Sequence, residues 1–199
     1  MLEETEGAQG VLSLMEESGA LLGGHFVLSS GLHSDRYVQC ALLLEVPGRA
    51  ELVGRMLGRY VEETLGPSSV EIVVSPALGG IIIGHEVARA LGARCVFTER
   101  ADGRMTLRRG FKIKPGERAL VVEDVVTTGG STREVVAAVS AEGGEVVGVG
   151  AIVDRGSQVD FGVPFAALVR GTIENYEPAV CPMCKAGLQV TKPGSRPSR

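Results

Sequence analysis

Four short runs with apolar centres constrain this chain most: VEIVVS (70–75), RALVVED (118–124), EVVGVGAIVD (145–154) and FAALVR (165–170). Each is too short for a typical helix. None alternates cleanly between apolar and polar residues, so each reads as a strand buried on both faces. RCVFT (94–98) is a fifth, shorter strand. Between them the period changes. In residues 47–65, Val53, Met56, Leu57, Tyr60, Val61 and Leu65 fall on one helical face. A second helix spans 80–91, and a third spans 131–142 with Val135, Val136 and Val139 inward. This alternation predicts an α/β fold, with a central parallel sheet flanked by helices on both faces.

The flanks behave differently. A helix near 8–19 precedes HFVLSSGLHSDRYVQCALLLE, which reads as two extended pieces around a Ser/Gly turn. Residues 1–45 are therefore expected to form a small hood or flap over one edge of a core at 46–177. The Pro-, Gly- and Lys/Arg-rich residues 178–199 are expected as a surface tail. A chain of 199 residues suits one such domain. The net charge of −4, without a long basic run, argues against nucleic-acid wrapping. MLEETEGAQG lacks a signal-peptide layout, and no apolar run reaches the roughly 18 residues of a membrane helix. The four cysteines are too sparse for a disulfide scaffold. The expectation is a cytoplasmic protein with neither a membrane nor a nucleic-acid partner.

In open parallel sheets, ligands bind beyond the carboxyl ends of the strands. SPALGG (75–80), TERADGRMTLRRG (98–110), DVVTTGGS (124–131) and DRGS (154–157) fall there. In the third, Thr127, Thr128, Gly129, Gly130 and Ser131 lead into a helix start, where converging N–H groups and hydroxyls suit one phosphate. Glu123 and Asp124, ahead of Val125 and Val126, would repel that phosphate unless they face another part of the ligand. Ribose offers two adjacent hydroxyl donors that carboxylates accept, and the acids also suit a hydrated divalent cation. A sugar phosphate satisfies both halves of the stretch. The plainer alternative is that the acids cap the helix and the glycines merely turn the chain.

VVEDVVTTGGST (121–132) resembles the phosphoribosyl-diphosphate signature of the type I phosphoribosyltransferases. That resemblance implies Glu123 and Asp124 on the ribose hydroxyls and residues 127–131 on the 5′-phosphate. FVLSSGLHSDRYVQ (26–39) is similar to the N-terminal segment of the orotate phosphoribosyltransferases. VDR (153–155) looks like the place where that family carries an orotate-binding arginine, and CPMCKAGLQVTKPGSR (181–196) resembles tails in one bacterial branch. Arg155 then faces the carboxylate of orotate, which a guanidinium fork matches, and Thr127 lies near the base. A surface arginine following a strand is the alternative.

Departures from the family pattern are specific. The loop at 98–110 has Arg100, Arg104, Arg108 and Arg109 but no lysine or histidine. Arg100 and Arg104 are the candidates for bringing positive charge to the departing diphosphate; Arg108 and Arg109 equally suit a hairpin surface. Ser29 and Gly79 stand where the family often has lysines, which leaves the amides of Gly79 and Gly80 to bind diphosphate. Cys181 and Cys184 form a single CxxC without a matching second pair, and read as plain thiols near a surface tail, a structural zinc being the alternative. His25, His33 and His85 are scattered. GVGAIV (148–153) lacks the third glycine of a dinucleotide fingerprint, and no GK[ST] loop is present.

The resemblance implies a Mg2+-dependent transferase that converts orotate and phosphoribosyl diphosphate into orotidine 5′-phosphate and diphosphate. It also implies a homodimer whose loops reach the neighbouring site. Two rivals share the signature: a phosphoribosyltransferase for another nucleobase, and a non-catalytic regulator that senses phosphoribosyl diphosphate.

Overall fold

The computed structural model describes residues 2–4, 8–28, 30–156 and 159–193; Ser29, Ser157 and residues 194–199 of the expectations above lie outside them. The chain runs β1 (Leu2–Glu4), α1 (Ala8–Glu17), β2 (Leu21–Val27), β3 (His33–Val38), α2 (Cys40–Leu44) and α3 (Pro47–Leu65). It continues β4 (Ile72–Pro76), α4 (Gly80–Leu91), β5 (Arg94–Ala101), β6 (Arg104–Leu107), β7 (Arg118–Val126), α5 (Gly130–Ala141) and β8 (Glu145–Asp154). Then come β9 (Phe165–Gly171), β10 (Asn175–Tyr176), a 3₁₀ turn at Pro178–Val180 and α6 (Pro182–Lys185).

The large sheet has the order β1-β9-β8-β7-β4-β5-β6. Neighbours from β9 to β5 pair in parallel, and β1 and β6 close the two edges antiparallel. Side chains within a strand go to opposite faces, so continuous apolar runs feed two cores. Val73, Leu120 and Val122 join the core with α1, α2, α3 and α4. Ile72, Val74, Ala119 and Val121 join the core with Val135 and Val139 of α5. Each fully buried valine of this kind contributes about 1.5–3 kcal/mol. Helices α3 and α4 touch nearly backbone to backbone, since a Cβ at Gly54 would lie 2.4 Å from Cβ of Glu86.

From β4 the chain steps outward to β5, then returns to the other side of β4 as β7. The carboxyl ends of β4 and β7 therefore flank the point where strand order reverses, and the crevice opens there. A second sheet, β10-β3-β2, is antiparallel and forms the hood.

Three segments differ from expectation. CALLL, expected as extended chain, is α2, because Cys40, Leu43 and Leu44 at helical spacing all bury. The stretch at 98–110, expected as a loop, is largely the β5–β6 hairpin, turned tightly at Asp102 (φ 50°) and Gly103 (φ 80°). Positive φ at both central residues is what a twisted two-residue hairpin requires. Residues 178–193 are mostly exposed but do not hang free. Cys181 is fully buried, Met183 is buried, and Thr191 bridges to Phe26 of the hood.

Candidate active site

β7 delivers the acids and leads directly into the glycine-rich turn. Glu123 and Asp124 lie within the strand, and Gly129 (φ +73°) caps α5 in the left-handed region. The turn bounds a hollow of about 300 Å³, lined by Glu123, Val125–Thr132 and Glu134. Arg133 steadies it from outside. Its guanidinium donates to the Thr128 carbonyl at 2.8 Å and packs over Phe161, leaving the start of α5 to face the hollow.

A larger cleft of about 580 Å³ adjoins it, sharing Val125, Thr127 and Thr128. Asp124 lines this cleft, and Arg155, at the end of β8, lines it too. Burial lowers the pKa of Arg155. One terminal nitrogen donates to Oδ1 of Asn175 at 3.2 Å, while its buried Nε has no partner among the described residues. The guanidinium is thus half withdrawn from water and incompletely satisfied, a state that favours an incoming carboxylate.

Glu123 is 8% exposed. Burial first, and the neighbouring Asp124 second, push its carboxyl up to about 9 from an ordinary 4.5. Native Glu123 therefore keeps its proton through neutral pH, whereas the unfolded chain loses it near 4.5. This contribution to stability is complete below pH 4.5 and declines as pH rises towards 9, by up to about 1.4 kcal/mol per pH unit. Urea unfolding of the ligand-free protein at pH 5–9 checks this. Glu123→Gln is expected to gain stability relative to wild type as pH rises, and parallel curves would refute the assignment.

Gly79 caps α4 and Gly80 begins it, on the β4 side of the crevice. A Cβ on Gly79 would sit 2.7 Å from Oδ2 of Asp124, so the bare backbone here leaves room for the carboxylate. Glu123 lines the smaller hollow with the glycine turn, and Asp124 lines the larger cleft with Thr127 and Thr128. Arg100 and Arg104 do not line either hollow. Arg100 makes a two-pronged ion pair with Glu134, at 3.0 and 3.2 Å, and holds that carboxyl below its usual range. With the Met105 amide also donating to Glu134 at 3.1 Å, the pair docks the hairpin onto α5. Arg109 pairs with Glu99 at 2.6 Å, while Arg104 and Arg108 are exposed.

Sequence reasoning missed Arg36, Tyr37 and Lys192, which all line the larger cleft. Arg36 and Tyr37 lay inside the quoted hood segment without a role. Lys192 was hidden by the expectation of a free tail.

A parallel sheet with its switch point beneath a Thr-Thr-Gly-Gly-Ser phosphate turn, two acids on the strand before it and an antiparallel hood above define a phosphoribosyltransferase. Residues 41–161 match the model of the phosphoribosyl transferase domain. The orotate phosphoribosyltransferase of Thermotoga petrophila is 51% identical over 187 residues, covering 94% of this chain and 98% of that protein. That of Carboxydothermus hydrogenoformans is 53% identical, covering 92% and 95%. Among solved structures, the Mycobacterium tuberculosis orotate phosphoribosyltransferase in complex with inorganic phosphate superposes with a TM-score of 0.64 at 26% identity. It covers 84% of this chain and 96% of that one. The chain belongs to the orotate phosphoribosyltransferase family, within the type I phosphoribosyltransferases.

Proposed function

We propose that the chain transfers the phosphoribosyl group of phosphoribosyl diphosphate to orotate in pyrimidine biosynthesis, giving orotidine 5′-phosphate and diphosphate. The observation that carries this reading is one cleft lined together by Asp124, the turn threonines Thr127 and Thr128, and the half-buried Arg155. Family membership supports the choice of base.

In this reading the amides and hydroxyls of Thr127–Ser131 take the 5′-phosphate at the start of α5. Glu123 and Asp124 accept the ribose hydroxyls, Glu123 giving up its proton or donating it, according to pH. Arg155 grips the orotate carboxylate and Thr127 lies beside the ring. The C1–O bond to diphosphate breaks while a ring nitrogen of orotate forms the new C1–N bond. Because that nitrogen reacts as an anion, the protein mainly aligns the partners and stabilises the leaving charge. The Gly79 and Gly80 amides and the N-terminus of α4 receive part of that charge.

The oxygen donors beside the open Gly79 notch suit Mg2+. Asp124 would hold it together with substrate oxygens, and the ion would neutralise diphosphate charge.

The reading includes a cytoplasmic homodimer. Among the described residues no helix is long and apolar enough to cross a membrane. Exposed Leu42, Val46, Leu52, Leu78 and Ile82, on or just before α2, α3 and α4, offer apolar surface for a second copy. Arg100 and Arg104 then supply charge from the hairpin to the partner's diphosphate, Arg100 by exchanging Glu134 for substrate.

The test is ultraviolet absorbance of orotate with protein, Mg2+ and phosphoribosyl diphosphate, with adenine, hypoxanthine and uracil in parallel. Orotate alone is expected to be consumed, and chelation to stop it. Turnover of another base instead, or binding of phosphoribosyl diphosphate without any turnover, would overturn the reading.

A further inference from the structure

The hood and the C-terminal segment meet at four side chains that the transfer chemistry does not use. His25 on β2 and His33 at the start of β3 face Cys181, which caps α6, and Cys184 within it. Their candidate ligand atoms all lie within 4.8 Å of one another. Nε2 of His25 is 3.6 Å from Sγ of Cys181 and 3.7 Å from Sγ of Cys184. Nδ1 of His33 is 3.3 Å from Sγ of Cys184 and 2.8 Å from Nε2 of His25.

We propose that His25, His33, Cys181 and Cys184 form a structural zinc site that staples the C-terminal segment to the hood. Zinc bonds of about 2.0–2.3 Å in a tetrahedron place ligand atoms roughly 3.3–3.8 Å apart. Three of the nitrogen–sulfur distances fall in that range, the two nitrogens would separate by about half an ångström, and the widest pair, at no more than 4.8 Å, would close by up to about 1 Å. The tautomer is also set. Nδ1 of His25 lies 2.8 Å from the carbonyl oxygen of Leu188, which can only accept, so Nδ1 carries the hydrogen and Nε2 turns its lone pair to the other three groups. Such a carbonyl behind a ligating histidine is the usual outer partner of a metal site. Two thiolates and two imidazoles in tetrahedral arrangement select zinc over the hard cations. Four protein ligands leave no open position, so the role is structural. His25 and Cys181 are buried, His33 is 9% exposed and Cys184 is exposed, which gives the ion a way in.

The site has a reason to exist. Beyond α6, the Thr191 amide donates to the His25 carbonyl at 2.8 Å, and its own carbonyl accepts from the Val27 amide at 2.9 Å. Lys192 and Pro193 then line the larger cleft. The cluster thus anchors the segment that brings Lys192 to the cleft. The metal site stands on its own geometry. Its effect on substrate binding rests on the function proposed above.

The full chain, prepared without a histidine tag, is assayed for metal by plasma emission and titrated with Co2+ after chelation. About one zinc per chain and the strong visible absorption of tetrahedral thiolate-bound cobalt are expected. Cys184→Ser, at an exposed position, is expected to fold, to lose both signals and to melt at a lower temperature. It should also raise the KM for orotate several-fold. Wild-type protein free of zinc and without the cobalt spectrum would overturn the proposal. So would undiminished metal in Cys184→Ser, or a mass two hydrogens lighter from a Cys181–Cys184 disulfide. If the metal is present but no base turns over, the zinc site holds and the functional reading alone falls.

Discussion

Arg155→Ala is expected to lower kcat/KM for orotate by about 10²-fold while leaving the affinity for phosphoribosyl diphosphate within about twofold. Truncating one partner of a buried, hydrogen-bonded charge pair costs about 2–5 kcal/mol, and each 1.4 kcal/mol is tenfold. The lower half of that range applies, since the cleft is open to solvent on one side and water can partly solvate the stranded carboxylate. The free protein has already withdrawn this guanidinium from water, and its Nε has no partner among the described residues. Little reorganisation remains for binding. Arg155→Lys keeps the charge but not the planar fork, so it is expected to recover only part of the loss. Steady-state kinetics in each substrate, with calorimetric titration of phosphoribosyl diphosphate, separate the effects. An unchanged KM for orotate would shift the carboxylate to Arg36 or Lys192, the other cations lining the cleft.

That competition among three cations shows what a sequence conceals. Helices α3 and α4 and strand β8 are legible to the residue, because period and composition are local properties and both cores reward them. The phosphate turn is legible for the same reason: acids, glycines and helix start lie in one continuous stretch. Arg36 and Lys192 were not, since they reach the cleft from the hood and from a segment near the C-terminus. The proposed zinc ligands are separated just as widely. His25 and Cys181 are 156 positions apart, so the CxxC was visible while its partners were two scattered histidines. The hairpin was misread because its TERADGRMTLRRG stretch is charged and carries an Asp-Gly pair that suits a loop as well as a two-residue turn. Arg100 was picked out for its charge, but its partner Glu134 lies on a helix 34 residues on.

Gly129→Val is expected to reduce kcat/KM for phosphoribosyl diphosphate by about 10³-fold and to destabilise the fold as well. Two independent faults combine. At φ +73° a side chain is strained, by about 1–2 kcal/mol for an ordinary residue, and a β-branched one fares worse. The added Cβ would also lie 2.7 Å from Cγ1 of Val159 and 3.0 Å from the Phe161 ring, the ring on which Arg133 rests. Relief requires the turn to move, and Arg133 cannot then hold the Thr128 carbonyl out of the hollow. Hydrogen bonds to a charged group are worth about 1.5–3 kcal/mol each, so misplacing two amides accounts for the loss. Gly130→Ala separates the causes. Its Cβ meets only Oγ1 of Thr128 at 3.8 Å, and its φ is not positive. At the first position of α5 it should leave the melting temperature unchanged or raise it, whereas even Gly129→Ala should lower it. Thermal melts of the three variants beside binding of inorganic phosphate decide the matter. Equal melting temperatures for Gly129→Ala and Gly130→Ala would mean that the left-handed turn is not what shapes the phosphate site.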